Sequence, residues 1–194
     1  MTQSRTVAVI VGSLRKDSSS RKIAKAIAGF APAGLDFRFV EIGDLPHYDQ
    51  DLETDAPPAA WTRFRGEVAG ADAVLFVTPE YNRSFPGFLK NAIDVGSRPW
   101  GKAVWTDKPA LVVSTSAGAL GGFGANHHLR QAISFFNMPV LGQPEAYIGN
   151  TLSLFDEQGE LTNETTAEFL RGLVQAFAAH IERNTAAADA RQAA

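Results

Sequence analysis

Thr6 to Val11 reads TVAVIV, an apolar, β-branched run that stops at Gly12. Polar and apolar residues alternate in a strand with one wet face; an uninterrupted run marks a strand covered on both faces, as in a parallel sheet flanked by helices. Similar runs recur in ADAVLFVTP, residues 71–79, and ALVVSTSAG, residues 110–118. LDFRFVEI, residues 35–42, alternates and fits an edge strand, and MPVLGQPEAYIG, residues 138–149, supplies a fifth strand or extended segment. Helical spacing fills the intervals. Ile23, Ala24, Ile27, Ala28 and Phe30 share one face; Trp61, Phe64 and Val68 follow Pro58; Phe88, Leu89, Ala92, Ile93 and Val95 follow Pro86, with Gly96 expected as the C-cap. LRQAISFFN, residues 129–137, and the amphipathic stretch 161–184 are the remaining helices.

Strands alternating with helices five times predict an α/β fold: one five-stranded parallel sheet with helices on both faces, since crossovers are right-handed, in the order 2-1-3-4-5. The 194 residues suit one domain, 1–183, followed by a flexible tail, 184–194. Eighteen Lys+Arg against 21 Asp+Glu give a net charge of -3, without the basic excess that a nucleic-acid partner requires. The absence of cysteine removes thiolate metal sites, all-Cys iron–sulfur centres and a thiol nucleophile. Redox chemistry would then need a bound organic cofactor. The apolar run near the N-terminus is too short for a signal sequence or a membrane span, so a soluble, cytoplasmic protein is expected.

In such a sheet ligands sit beyond the carboxyl ends of the strands at the switch point, which selects the loops after strands one, three and four. GSLRKDSSSR, residues 12–21, precedes a helix whose orphan N–H groups and dipole favour an anion; Ser13, Ser18, Ser19, Ser20 and Arg15 add donors for a terminal phosphate. The alternative is a plain Ser N-cap with a solvated basic first turn. The loop is neither a Walker A loop nor a G-x-G-x-x-G turn. TPEYNRSFPG, residues 78–87, offers backbone groups, an Asn amide and an aromatic ring to a flat heterocycle, or is an ordinary βα loop. GALGGFGANHH, residues 118–128, reads as a Gly-rich loop whose backbone can approach a ligand or partner closely, or as a merely flexible one.

With these three segments the chain resembles the NADPH-dependent FMN reductases of the flavodoxin-like class, which include quinone and chromate reductases and related azoreductases. The resemblance runs from Val7 to about Ile181 and rests on GSLRKxS, TPEYNxSxPGxLKNAIDxxSRP and GxxGG followed by HLRQ. It implies a flavodoxin-like three-layer sandwich. It further implies bound FMN, with the phosphate at Ser13, Arg15, Ser18 and Ser20, and the ring and ribityl chain at Pro79, Glu80, Tyr81, Asn82 and Ser84. Ser116, Ala117 and Gly118 would present N–H groups to the pyrimidine side of the ring, where negative charge gathers on reduction. Relatives often carry Asn at position 20 and an aromatic at position 83, where this chain has Ser20 and Arg83. The implied activity passes hydride from NADPH or NADH through FMN to a small-molecule acceptor such as a quinone, free flavin, an azo dye or chromate, in a homodimer or homotetramer.

The flavin would carry the chemistry, so no catalytic acid, base or nucleophile is assigned. His47, His127, His128 and His180 read as structural, with no metal site. Ser116 lies in S-T-S-A-G and not in a nucleophile elbow, and Trp61, Trp100 and Trp105 read as packing or interface residues. A flavodoxin-like electron carrier is the alternative from another class; its usual strong acidity and Thr-rich phosphate loop are both missing. A receiver-type signalling module would need an Asp where strand three ends in Thr78-Pro79.

Overall fold

The computed structural model describes residues 4–192. Strands β1 (Arg5–Val11), β2 (Leu35–Val40), β3 (Ala73–Pro79), β4 (Ala110–Thr115) and β5 (Ala146–Ile148) form a single sheet in the order β2-β1-β3-β4-β5, with every neighbouring pair parallel. Helices α1 (Ser19–Gly29), α2 (Ala59–Ala69), α3 (Gly87–Gly96), α4 (Phe123–Ser134) and α5 (Glu164–Gln192) alternate with them. The backbone of α5 thus runs through most of the segment expected as a tail, of which residues 193–194 lie outside the described residues.

Side chains of the three central strands part by twos. Ala8, Ile10, Val74, Phe76, Ala110 and Val112 meet α2, α3 and α4, whereas Val7, Val9, Leu75, Val77, Leu111 and Val113 meet α1 and α5. Both faces of the sheet are therefore dry, which is why these strands carry no alternation. Trp61 and Trp105 are fully buried in the first layer, and Trp100 stands exposed.

Four further boundaries depart from the sequence expectation. Strand β2 stops at Val40, because the Glu41 carboxylate accepts from the N–H groups of Ile42 and Gly43 at 3.1 and 2.8 Å and turns the chain out of the ladder. Gly96 is not a left-handed cap but the last residue of α3, with Ser97 as the C-cap. Its lack of a side chain matters because a Cβ there would lie 2.6 Å from the Trp105 indole. Strand β5 contracts to Ala146–Ile148, with a separate bridge from Val140 to Ala110; Gly142 and Pro144 interrupt the ladder, Pro144 for want of an N–H. Helix α4 begins six residues earlier than expected, at Phe123 rather than Leu129, so most of the supposed Gly-rich loop is its first turn and a half.

Candidate functional site

Beyond the carboxyl ends of β1, β3 and β4 the three selected loops lie side by side. The first has its bonding capacity largely open. Gly12 N–H continues the sheet to the Val77 carbonyl at 2.8 Å, but among the described residues no backbone N–H from Ser13 to Ser20 donates to a protein acceptor. Such a row of donors at the start of a helix makes a concavity for an anion. A Cβ on Gly12 would come within 2.8 Å of Thr78 Oγ1, so glycine is what lets this loop lie against β3. Arg15 is exposed and, among the described residues, forms no ion pair. Ser13 is buried at the loop base.

Two of the predicted serines are engaged elsewhere. Ser18 is the N-cap of α1 and its Oγ accepts from Arg21 N–H at 3.1 Å. Buried Ser20 turns toward the sheet, its hydroxyl 2.7 Å from that of Thr115. Ser13, Ser19, Arg15 and the open N–H groups are the remaining partners for a phosphate in this loop.

In the second loop Tyr81 and Ser84 exchange two backbone hydrogen bonds, 2.7 and 3.0 Å, around Asn82 and Arg83, whose φ values are 51° and 69°. Two successive positive φ angles describe a type I′ turn, whose second central position ordinarily holds Gly. Here it holds Arg83, with its side chain thrown into solvent. Tyr81, 47% exposed, and Asn82 project from the same turn.

Glu80 reaches toward α4, with its second carboxylate oxygen 3.9 Å from the Arg83 guanidinium. Its carboxylate accepts from Ala125 N–H at 3.0 Å, at the amino end of α4. That helix has Gly122 as its N-cap residue and thus no capping side chain of its own; an acidic group reaching from another loop supplies both the acceptor and the charge that the helix end favours. Gly124 permits the approach, since a Cβ there would sit 2.9 Å from the Arg83 carbonyl oxygen and 3.0 Å from the Glu80 carboxylate. His128 Nδ1 lies 3.1 Å from Ser84 Oγ and adds a second tie between α4 and this turn.

The third loop is held from the side of β5. Ser116 N–H donates to the Ile148 carbonyl at 2.9 Å, and the N–H groups of Asn150 and Thr151 donate to the carbonyls of Gly118 and Ser116, both at 3.2 Å. Gly118 N–H is turned to Ser116 Oγ at 3.0 Å. Of the three N–H groups expected to face a ligand, only that of Ala117 has no protein acceptor among the described residues. Beneath, Asn126 is fully buried and its amide donates to the Val112 and Ala146 carbonyls and to Ser114 Oγ, spanning the gap left by the interrupted β5.

His127 pairs with the Tyr147 hydroxyl at 3.0 Å and packs against Phe123, ring centres 4.3 Å apart. Burial first, and then the neighbouring Glu145 carboxylate, push the Tyr147 phenol above its ordinary value. His180 is bonded to the Pro139 carbonyl at 2.7 Å, far along the chain from the three loops.

Much of the long second signature serves scaffolding that sequence reasoning did not separate from binding. Asn91 accepts from Tyr48 N–H at 2.7 Å and donates to the Leu45 and Pro46 carbonyls, fastening the long connection after β2. Arg98 lies over the Tyr48 and Trp100 rings at 5.9 and 5.4 Å.

Residues 5–153 match a family model described as NADPH-dependent FMN reductase. A quinone reductase of Pseudomonas putida is 57% identical over 186 residues, 96% of this chain and 100% of that protein. A 2-hydroxy-1,4-benzoquinone reductase of a Burkholderia species is 45% identical over 175 residues, 90% of this chain and 95% of its own length. Among solved structures, FerB of Paracoccus denitrificans, a flavoenzyme NAD(P)H:(acceptor) oxidoreductase, superposes with a TM-score of 0.87 at 44% identity, covering 93% of this chain and 98% of FerB.

Proposed function

The chain belongs to the NADPH-dependent FMN reductase family, and from that premise we propose that its three-loop edge holds FMN and delivers electrons from NAD(P)H to a quinone. The observation that carries the assignment of the site is the row of open N–H groups from Ser13 to Ser20 beside the unpaired Arg15. Those groups suit a dianionic phosphate, which charge-assisted hydrogen bonds hold about twice as strongly as neutral ones. Ser18 and Ser20 then act indirectly, the first by capping α1 and the second by docking its first turn on β4. Pro79, Tyr81, Asn82 and Ser84 form one wall for the ring and ribityl chain, Glu80 fixes that wall to α4, and Ser116, Ala117 and Gly118 form the other, with Ala117 as its N–H donor.

When held by these residues, FMN would supply two-electron redox chemistry between NAD(P)H and the acceptor, a quinone taking the equivalent of one hydride together with a second proton from solvent to become its hydroquinone. The chain's own part is to bind, orient and leave one ring face open; no side chain is assigned a proton transfer. Quinones are the acceptors we favour because the names of the P. putida and Burkholderia relatives specify them; free flavin, azo dyes and chromate are further candidates. Residues 1–183 are proposed as one flavodoxin-like FMN-binding domain. Dependence on NAD(P)H favours the cytoplasm, and no helix among the described residues is long and apolar enough to cross a membrane.

The test is a visible spectrum of protein mixed with FMN and freed of excess, followed by anaerobic NADPH and then a benzoquinone. Two retained flavin bands that bleach with NADPH and return with quinone are expected. Bands that NADPH leaves unbleached would favour a carrier, and a colourless protein would dismiss the cofactor. In the same assay Arg15→Ala should weaken FMN binding by about 1.5–3 kcal/mol, or roughly 10- to 150-fold in Kd. Unchanged affinity in that variant would remove the first loop from the site.

A homodimer or homotetramer is proposed as the working form. Trp100, 75% exposed, and Phe135, 70% exposed, line a hollow of about 300 Å³, and Leu120 in the third loop and Leu152 after β5 stand 71% and 81% exposed. Clustered apolar side chains of this size usually mark contact surfaces. Sedimentation velocity should give at least twice 20.8 kDa; a monomer at micromolar concentration would refute the assembly.

A further inference from the structure

On the helical layer formed by α1 and α5, a groove of about 570 Å³ runs along α1 beneath the turn at residues 156–160 and the start of α5. Five cations, Lys16, Arg21, Lys22, Lys25 and Arg171, line it against two carboxylates, Glu160 and Glu164. Three of these cations already have carboxylates: Arg171 pairs with Glu164 at 2.8 Å, Lys22 with Asp17 at 2.5 Å and Arg21 with Glu41 at 3.8 Å. Lys16 and Lys25 have none among the described residues, and both are exposed at the rim.

The floor is different in kind. Phe30, Ala26 and Leu161 give it an apolar surface, and the Arg171 guanidinium lies 4.8 Å over the Phe30 ring. At Gly159, φ +85°, the turn bends down until a Cβ would lie 3.2 Å from Lys22 Cε. The turn thus confines the Lys22 stem, and its ammonium is taken up by Asp17 and lies 5.5 Å over the Phe155 ring. Two unpaired lysines at the rim and a planar guanidinium laid on an apolar floor are complementary to a phosphate joined to an aromatic base, which stacks on guanidinium planes. The groove starts at Lys16 and Ser18, in the same loop as Arg15, and leads away from the edge where the three loops meet.

We propose that this groove is a second anion site that binds an adenosine phosphomonoester, with the phosphate at the Lys16 and Lys25 rim and the base stacked on the Arg171 guanidinium that covers Phe30. The ligand chemistry has two sources, a free nucleotide or the phosphoadenosine end of NADPH. Only the second rests on the oxidoreductase reading given above.

The probe is adenosine 2′,5′-bisphosphate, titrated calorimetrically into protein preloaded with FMN so that the flavin site is filled. Binding is expected in the native protein, and Lys25→Glu should weaken it about tenfold through loss of a charge-assisted contact. Lys102→Glu, an equal charge change on an exposed residue that does not line the groove, should leave it unchanged. Kinetics with the two coenzymes then separate the sources. A KM for NADPH that rises in Lys25→Glu while that for NADH stays fixed assigns the groove to the coenzyme; weakened bisphosphate binding with both KM values fixed assigns it to a free nucleotide. No binding in the native protein, or equal weakening by Lys25→Glu and Lys102→Glu, overturns the site. Retention of the flavin bands in each variant is recorded separately, so failure of the groove is not confused with failure of the FMN site.

Discussion

Gly121→Ala should unfold at a temperature lower by roughly 5–20 °C and retain less FMN, the larger effect of any single methyl group added near the site. Two causes act together. Gly121 holds φ +60°, a left-handed conformation that costs a residue with a Cβ about 1–2 kcal/mol. The added Cβ would also lie 2.5 and 2.6 Å from the carbonyl carbon and oxygen of Tyr147, backbone atoms that cannot rotate away, and forced overpacking costs about 1–3 kcal/mol more. Relief requires the third loop to lift from β5, which would break the Ser116–Ile148 hydrogen bond and displace Ala117. Gly142→Ala is the control: no atom lies within 4 Å of its Cβ position and its φ is not positive, so stability should change by less than about 0.5 kcal/mol. Thermal unfolding with and without FMN measures both. A Gly121→Ala protein as stable as the native one would mean that the loop is not pressed on Tyr147.

Arg65→Ala should lower the free energy of unfolding by about 2–4 kcal/mol, somewhat under the range for a fully buried pair that loses one partner. Its guanidinium bonds Glu53 through both ends, Nη1 to Oε1 at 2.8 Å and Nη2 to Oε2 at 2.6 Å, while Nε donates to the Val95 carbonyl at 2.8 Å near the end of α3. The two side chains are only 12% and 15% exposed. Removing the arginine leaves a carboxylate and a helix carbonyl without their donor in a place where water reaches poorly. It also unfastens the connection after β2 from α2 and α3. Arg65→Lys should recover only part of the loss, since an ammonium cannot form the two-pronged pair. Urea unfolding with an unchanged slope would read the effect as one on stability alone. If Arg65→Ala and Glu53→Gln each cost less than about 1 kcal/mol, the pair behaves as a surface ion pair and the connection is held by Asn91.

The sheet was legible because burial on both faces leaves its mark in composition: TVAVIV and ADAVLFVTP admit few other readings, right-handed crossovers place helices on both faces, and the order expected of five such strands is the one observed. The switch-point edge followed from that order together with the unusual make-up of the three loops. Illegible were the features created by residues distant in the chain. Glycine-rich GGFG reads as loop by propensity, yet Glu80 starts a helix there from another element. Gly96 stands at a helix end, so it resembles a cap, although Trp105 is the reason for it. Ser20 and Glu80 have the chemistry of ligand contacts, and only their partners, Thr115 and Ala125, reveal what they hold. Lys22 and Lys25 look like a solvated helix face until the turn at Gly159 and Arg171 of α5 close around them.

The contact between the turn at Asn82–Arg83 and the first residues of α4 has a consequence for how such a cleft can be altered. βα loops on a scaffold of this kind usually tolerate insertions one at a time. Here the Arg83 carbonyl and the Glu80 carboxylate fit against Gly124 with no room for a methyl group. Adding or deleting a residue in either segment would move the other, so the two walls can change length only in concert. New acceptor preferences are then reached more readily by exchanging the outward side chains of Tyr81, Asn82 and Arg83 than by remodelling either loop.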